Sequence, residues 1–167
     1  MKKKLFLIIN EDRFFLSHRT RIAQKAFECG WDVTLVTKNT GYRKEIEEMG
    51  YHYLELPINP TGMNLLEEYK TYRYLYSLLK NNSDSIVHLV GLKNMLWGGL
   101  AARFAKSRGV LYAVSGLGTL FGEKKSAIVS GVIQRLLKIG MKKKNVAVIF
   151  QNHEDEKLFK DKRIKGN

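Results

Sequence analysis

Asn10, Asp12, Phe14, Ser17, His18 and Arg19 fall within ten consecutive residues, directly after an apolar run. That composition suits anion binding. Ser17 is the expected cap of a helix starting there, whose free N–H groups and dipole attract negative charge, and Arg19 adds a bidentate donor. Asp12, His18 and His88 are the groups that could move a proton. A plainer reading makes Ser17 only a cap, His18 a surface residue and His88 a hydrogen-bonded core residue within Ile86-Val-His-Leu89. Lys93 is a single cation just past that run. Ser115-Gly-Leu-Gly-Thr-Leu-Phe-Gly122 is the most glycine-dense stretch, where Ser115, Gly116 and Gly118 suit close backbone approach to a ligand. Its third glycine falls one position late for a dinucleotide loop, and no acid ends the following run, Ile149-Phe-Gln151. A nicotinamide or flavin site is therefore disfavoured. His18, His88 and His153 lack metal-ligand spacing, so no metal is expected. No Gly-x-Ser-x-Gly elbow is present, and neither Ser17 nor Ser115 has an evident base partner.

These residues need elements to hold them. Short apolar runs at Lys4–Ile9, Asp32–Thr37, Tyr51–Leu56, Ser85–Leu89, Val110–Val114 and Val146–Phe150 read as strands. Helical periodicity marks segments near 17–29, 41–49, 64–81, 94–107, 126–141 and 153–161. Gly30 and Gly50 stand where helices should stop, and Asn64 with Glu67 forms a variant capping box. Strands and helices alternating at this spacing imply right-handed βαβ units. The expected fold is a single α/β, doubly wound, Rossmann-like domain, with a parallel sheet of about six strands and helices on both faces. In such a sheet, ligands bind beyond the carboxyl ends of the strands, where the residues named above fall.

Charge narrows the partners. The 167 residues carry 29 Lys+Arg against 16 Asp+Glu, a formal net charge of +13, which calls for an anionic partner. Lys124, Lys125, Arg135, Lys138, Lys142, Lys143 and Lys144 concentrate in one segment against the single acid Glu123. Between them, Ile128, Val129, Val132, Ile133, Leu136 and Leu137 keep helical spacing. This describes either a basic amphipathic helix in contact with anionic lipid or a sheet-covering helix with lysines at its negative end. Nucleic acid is disfavoured, because no helix-turn-helix, zinc-finger or aromatic RNA-binding signature occurs. The amino-terminal Met1-Lys-Lys-Lys followed by Leu5-Phe-Leu-Ile-Ile9 is too short for a signal peptide, and no apolar stretch is long enough to span a bilayer. Cys29, the only cysteine, excludes an intrachain disulfide and fits a reducing compartment.

Asn10, Phe14-Phe-x-Ser-His-Arg19, Ser85-Ile-Val-His-Leu89, Lys93, Gly98-Gly-Leu-Ala-Ala-Arg103, Ser115-Gly-Leu-Gly118 and Val148-Ile-Phe-Gln-Asn152 form an ordered series. It resembles the amino-terminal half of bacterial family 4 glycosyltransferases, above all those of capsule, O-antigen or other exopolysaccharide assembly. The resemblance covers essentially the whole chain, 1–167. It implies one of two Rossmann-like domains in a GT-B arrangement, a nucleotide-sugar donor, no catalytic metal and retention of anomeric configuration. The acceptor it implies is a lipid-linked saccharide at the inner face of the cytoplasmic membrane. Cytoplasmic location with peripheral contact to that anionic surface would then account for the charge. Asn10, Phe14, Ser17, His18, Arg19, Lys93 and the Ser115–Gly118 loop would line the acceptor side of the cleft. Two departures stand out. Many members carry a cleft histidine two residues after the position of His88, where this chain has Val90. The donor-binding domain with its paired glutamates has no counterpart here, so it is expected in cis or in trans, and this chain alone is expected to be inactive. The alternative is a non-catalytic product or a membrane-docking subunit of a two-chain transferase.

Overall fold

A computed structural model describes residues 3–62, 64–114 and 127–161. Within them β1 (Lys4–Glu11), β2 (Asp32–Lys38), β3 (His52–Glu55), β4 (Ile86–Val90), β5 (Gly109–Val114) and β6 (Val146–Phe150) form one sheet. The helices are α1 (Asp12–His18), α2 (Thr20–Glu28), α3 (Arg43–Glu48), α4 (Leu65–Lys80), α5 (Leu92–Phe104), α6 (Ala127–Met141) and α7 (His153–Asp161). Strand order is β3-β2-β1-β4-β5-β6 and every pairing is parallel. The doubly wound expectation holds, with most strand boundaries shifted by a residue or two.

The apolar run of β1 is continuous because both of its faces are covered. Leu5, Leu7 and Ile9 pack with Phe15 of α1, Ala23 of α2 and Ile46 of α3. Phe6 and Ile8 face the other way, towards Leu75 and Leu79 of α4, Met95 of α5 and Val87 of β4. The helix expected over 17–29 is two helices. The chain turns helical directly after β1 and breaks at Arg19 (φ −128°, ψ −3°). Ser17 sits in the last turn of α1, not at a helix start, and its hydroxyl donates back to the Arg13 carbonyl at 3.0 Å. Such back-bonding competes with the helix ladder and favours a bend.

Asp12 locks this corner. Its carboxylate is fully buried and accepts from the Thr40 N–H at 3.0 Å, the Thr40 hydroxyl, the Tyr42 N–H at 3.3 Å and the Tyr53 hydroxyl at 3.0 Å. Burial pushes this carboxyl up, but the hydrogen bonds from Thr40, Tyr53 and Tyr42 together hold it below the ordinary value. One side chain thereby ties the β1–α1 corner to the β2–α3 loop and to β3.

On the opposite face α5 runs between α4 and α6 and is buried along almost its whole length. Its small residues allow a close fit. A methyl at Gly99 would run into the Tyr112 hydroxyl, and the Gly140 Cα faces the Gly99 backbone. That hydroxyl is buried and has no hydrogen-bond partner among the described residues, and burial raises its pKa. Gly99→Ala should therefore destabilise the fold by about 1–3 kcal/mol through overpacking. Tyr112→Phe should be near neutral alone and should recover most of that loss in the double variant. Urea unfolding of the four proteins measures the coupling.

Candidate functional site

Sheet order reverses between β1 and β4. Connections from these neighbours leave to opposite sides, which opens a crevice at their carboxyl ends. A cleft of about 270 Å³ lies there, lined by Ile9, Asn10, Phe14, His18, Arg19, Val90, Gly91 and Gln151. Four of the residues singled out by sequence, Asn10, Phe14, His18 and Arg19, thus meet in one place.

Each wall has a structural cause. Asn10 is the penultimate residue of β1, and its side-chain oxygen accepts from Asn94 Nδ2 at 2.8 Å, while Asn94 also donates to the Val90 carbonyl at 2.8 Å. Asn94 is itself fully buried. Gly91 caps α5 at φ +89°, and a Cβ there would press on the Asn10 amide at 3.1 Å. Only glycine suits both demands. Phe14 is 44% exposed and supplies an apolar wall. Arg19 occupies the break between α1 and α2, half-buried, and its guanidinium has no hydrogen bond or ion pair to any described residue. Burial lowers its pKa, as expected for a guanidinium removed from water without a counter-ion.

His88 lies beneath. Its ring is 1% exposed, and Nε2 has no partner among the described residues. Burial, and then the nearby Arg19 charge, bring its pKa down to about 4. At neutral pH Arg19 therefore stands near a buried, neutral imidazole.

Other candidates fall elsewhere. Lys93 forms an ion pair with Glu68 and donates to the carbonyls of Asn59, at 2.7 Å, and Gly62. Trp97 Nε1 binds the same Glu68 carboxylate, so this cluster fastens the 59–62 loop to α4 and α5. Lys93 is thus a loop fastener outside the cleft lining, because neighbouring carbonyls and an acid capture its charge. Asp12, considered as a proton carrier, has every lone-pair direction directed at a donor. Asn152 caps α7 through the Asp155 N–H at 2.7 Å, and His153 is exposed beside Glu156. Ser115, Gly116, Gly118, Lys124 and Lys125 lie outside the described residues. Among the described residues, no three His, Cys, Asp or Glu side chains converge as a metal site requires. Gly91 and Gln151 were passed over as site residues in sequence, and so was Asn94. Gly91 had a signal in the strand-end Val90-Gly91 step.

A parallel sheet in this strand order, with a polar crevice at its reversal, defines a doubly wound, Rossmann-like architecture. The sequence profile of the Glycosyl transferase 4-like family matches residues 4–152, and the chain belongs to that family. Its fold is similar to that of MurG from Acinetobacter baumannii, with a TM-score of 0.54 at 15% identity, over 90% of this chain and 45% of that one. It is also similar to a putative UDP-N-acetylglucosamine 2-epimerase from Listeria monocytogenes, with a TM-score of 0.52 at 13% identity, over 82% of this chain and 42% of that one. The chain thus spans less than half the length of either protein. No curated protein matches it in sequence.

The buried neutral His88 makes stability depend on pH. Its folded pKa, about 4, lies below the ordinary 6.5, so the unfolded state binds more protons between these values. Stability should be full above about pH 6.5 and fall as acid is added, by about 2–3 kcal/mol at pH 4. Asp12 adds to the loss only below its ordinary 3.8. Urea titrations at several pH values should show a flatter slope above pH 4 for His88→Gln.

Proposed function

We propose that this chain forms the acceptor-binding wall of a nucleotide-sugar-dependent, retaining glycosyltransferase of surface-polysaccharide assembly. A donor-binding domain, in the same polypeptide or a separate chain, closes the cleft from the other side. The acceptor is a saccharide linked through phosphate to a membrane lipid, taken from the cytoplasmic face.

The observation that carries this reading is Arg19. A half-buried guanidinium without a partner is costly unless a ligand supplies the missing anion. Its position at the sheet reversal is where ligands of this architecture sit. A phosphate oxygen pair matches its planar fork, and the neutral His88 nearby adds no competing charge. Asn10, fixed by Asn94, is left to meet a sugar hydroxyl, and Phe14 offers an aromatic edge to the apolar face of a ring. Holding acceptor and donor together in one such cleft is worth roughly 7–11 kcal/mol of barrier. The acceptor wall alone forgoes that and should transfer nothing.

Calorimetry with a short-chain, lipid-diphosphate-linked saccharide tests the assignment. Arg19→Ala should weaken binding by about 1–3 kcal/mol, and Arg19→Lys by less. UDP-sugars should leave the Tm of the chain unchanged. An affinity indifferent to Arg19→Ala, together with a Tm raised by UDP-sugars, would move the chain to the donor side.

A further inference from the structure

We infer that Asn94 is a positioning residue that fixes the Asn10 amide as a hydrogen-bond donor to an oxygen of the ligand. An asparagine side chain carries both an acceptor and a donor, so by rotating its amide it could offer a ligand either one. Here a backbone group makes the choice. Asn94 is fully buried in the first turn of α5, and its Nδ2 lies 2.8 Å from the Val90 carbonyl and 2.8 Å from Asn10 Oδ1. A carbonyl only accepts, so the Asn94 atom beside Val90 is nitrogen. Its second hydrogen needs an acceptor, which settles the facing atom of Asn10 as oxygen. One polarity is thus passed from the end of β4, through the start of α5, to the end of β1.

With Oδ1 engaged, Asn10 keeps Nδ2, which has no acceptor among the described residues. This nitrogen stands beside Gly91, where a Cβ would come within 3.1 Å of it, and Gly91 lines the cleft together with Asn10 and Arg19. Among the described residues, no Asp or Glu lines this cleft. A ligand amine would set donor against donor at Nδ2 and find no counter-charge. A ligand oxygen is held through its lone pairs, with Arg19 offering donors of the same sense. The site therefore takes a phosphoryl or hydroxyl oxygen at Asn10 and rejects an ammonium group there.

Asn94 is kept at a cost. Its own Oδ1 is buried without a hydrogen-bond partner among the described residues, and a leucine of similar volume would leave no such orphan. An unmet buried acceptor calls for a compensating role, and orienting Asn10 from 84 positions away supplies one. The setting suits that role, because α5 is buried along almost its whole length and holds Asn94 rigidly against the strand ends. The inference rests on the proposed function only for the saccharide used in its test.

Through-hydrogen-bond NMR couplings in the isotope-labelled, unliganded chain read the polarity directly. Asn94 Nδ2 should couple to Asn10 Cγ and to the Val90 carbonyl carbon, and its protons should exchange with water more slowly than those of Asn10 Nδ2. Coupling from Asn10 Nδ2 to Asn94 Cγ, or the reverse order of exchange, would overturn the inference. The short-chain, lipid-diphosphate-linked saccharide should shift the Asn10 side-chain amide signals. A matching shift with pyrophosphate alone identifies a phosphoryl oxygen as the partner, and a shift with the saccharide only identifies a sugar oxygen. In calorimetry with that saccharide, Asn94→Leu and Asn10→Ala should each weaken binding roughly three- to tenfold. The double variant should bind no more weakly than Asn10→Ala, because Asn94 acts through Asn10. Additive losses, the mark of a merely structural Asn94, would overturn the inference. Asn10→Asp keeps the bond from Asn94 but turns an acceptor to the ligand, so it should bind more weakly than Asn10→Ala, and binding at the parent level would count against the donor role. A saccharide that binds without moving the Asn10 signals would overturn this inference and leave the proposed function standing. A saccharide that fails to bind, with the Asn94 couplings as expected and the Asn10 signals moved by pyrophosphate, would remove the proposed function alone.

Discussion

The reversal of strand order between β1 and β4 is the constraint on which the rest of this molecule depends. Right-handed crossovers send the chain from β1 through α1 and α2 on one face, while α4 and α5 pack on the other. Two adjacent strands whose connections part in this way leave their carboxyl ends uncovered. Everything chemically notable gathers there. Asn10 is in the first such end, Val90 and Gly91 are at the second, and Arg19 hangs over both from the helix break. A sheet wound only one way would bury these same backbone ends under helices.

Around the opening the structure fixes side chains by pairing some and leaving others unpaired. Asp12 is saturated with donors and Lys93 with acceptors, so both act as fasteners that hold loops at the rim. Arg19 and His88 Nε2 are left without partners at partial or full burial. Unpaired buried polar groups are costly, and proteins keep them where a ligand completes them. The half-buried, unpartnered Arg19 guanidinium at the sheet reversal is what marks the cleft as a site. Size alone does not, because a larger depression of about 590 Å³ near Gly50 and His52 has no comparable group.

The same economy of placement appears in the charge. A net +13 on a chain of this length could coat the molecule evenly. Helices α1 to α3 instead balance, with five bases and five acids, while α4 to α6 carry seven bases against two acids and expose Leu65, Leu66 and Ile128. An orienting field needs such asymmetry, since a uniform shell attracts a surface without choosing which side meets it.

Sequence determined the periodic parts of this protein. Continuous apolar runs required strands buried on both faces, and Gly30 and Gly50 marked helix ends, where they take φ of +80° and +89°. Alternation of the two periods left few topologies besides a doubly wound sheet. Cleft residues near β1 were legible because a strand end and helix start announce themselves locally. Tertiary structure alone decided which of them are free to act. Lys93 reads in sequence as an open cation, yet Glu68 and two carbonyls, 25 to 34 residues away, capture it. Ser17 reads as a cap, and became the bend of a helix that Asp12 anchors from Thr40 and Tyr53. Asn94 reads as one more helix residue, and orients Asn10 across 84 positions. Whether a polar group keeps its charge and lone pairs for a ligand depends on which distant partner reaches it first, and periodicity carries no information about that encounter.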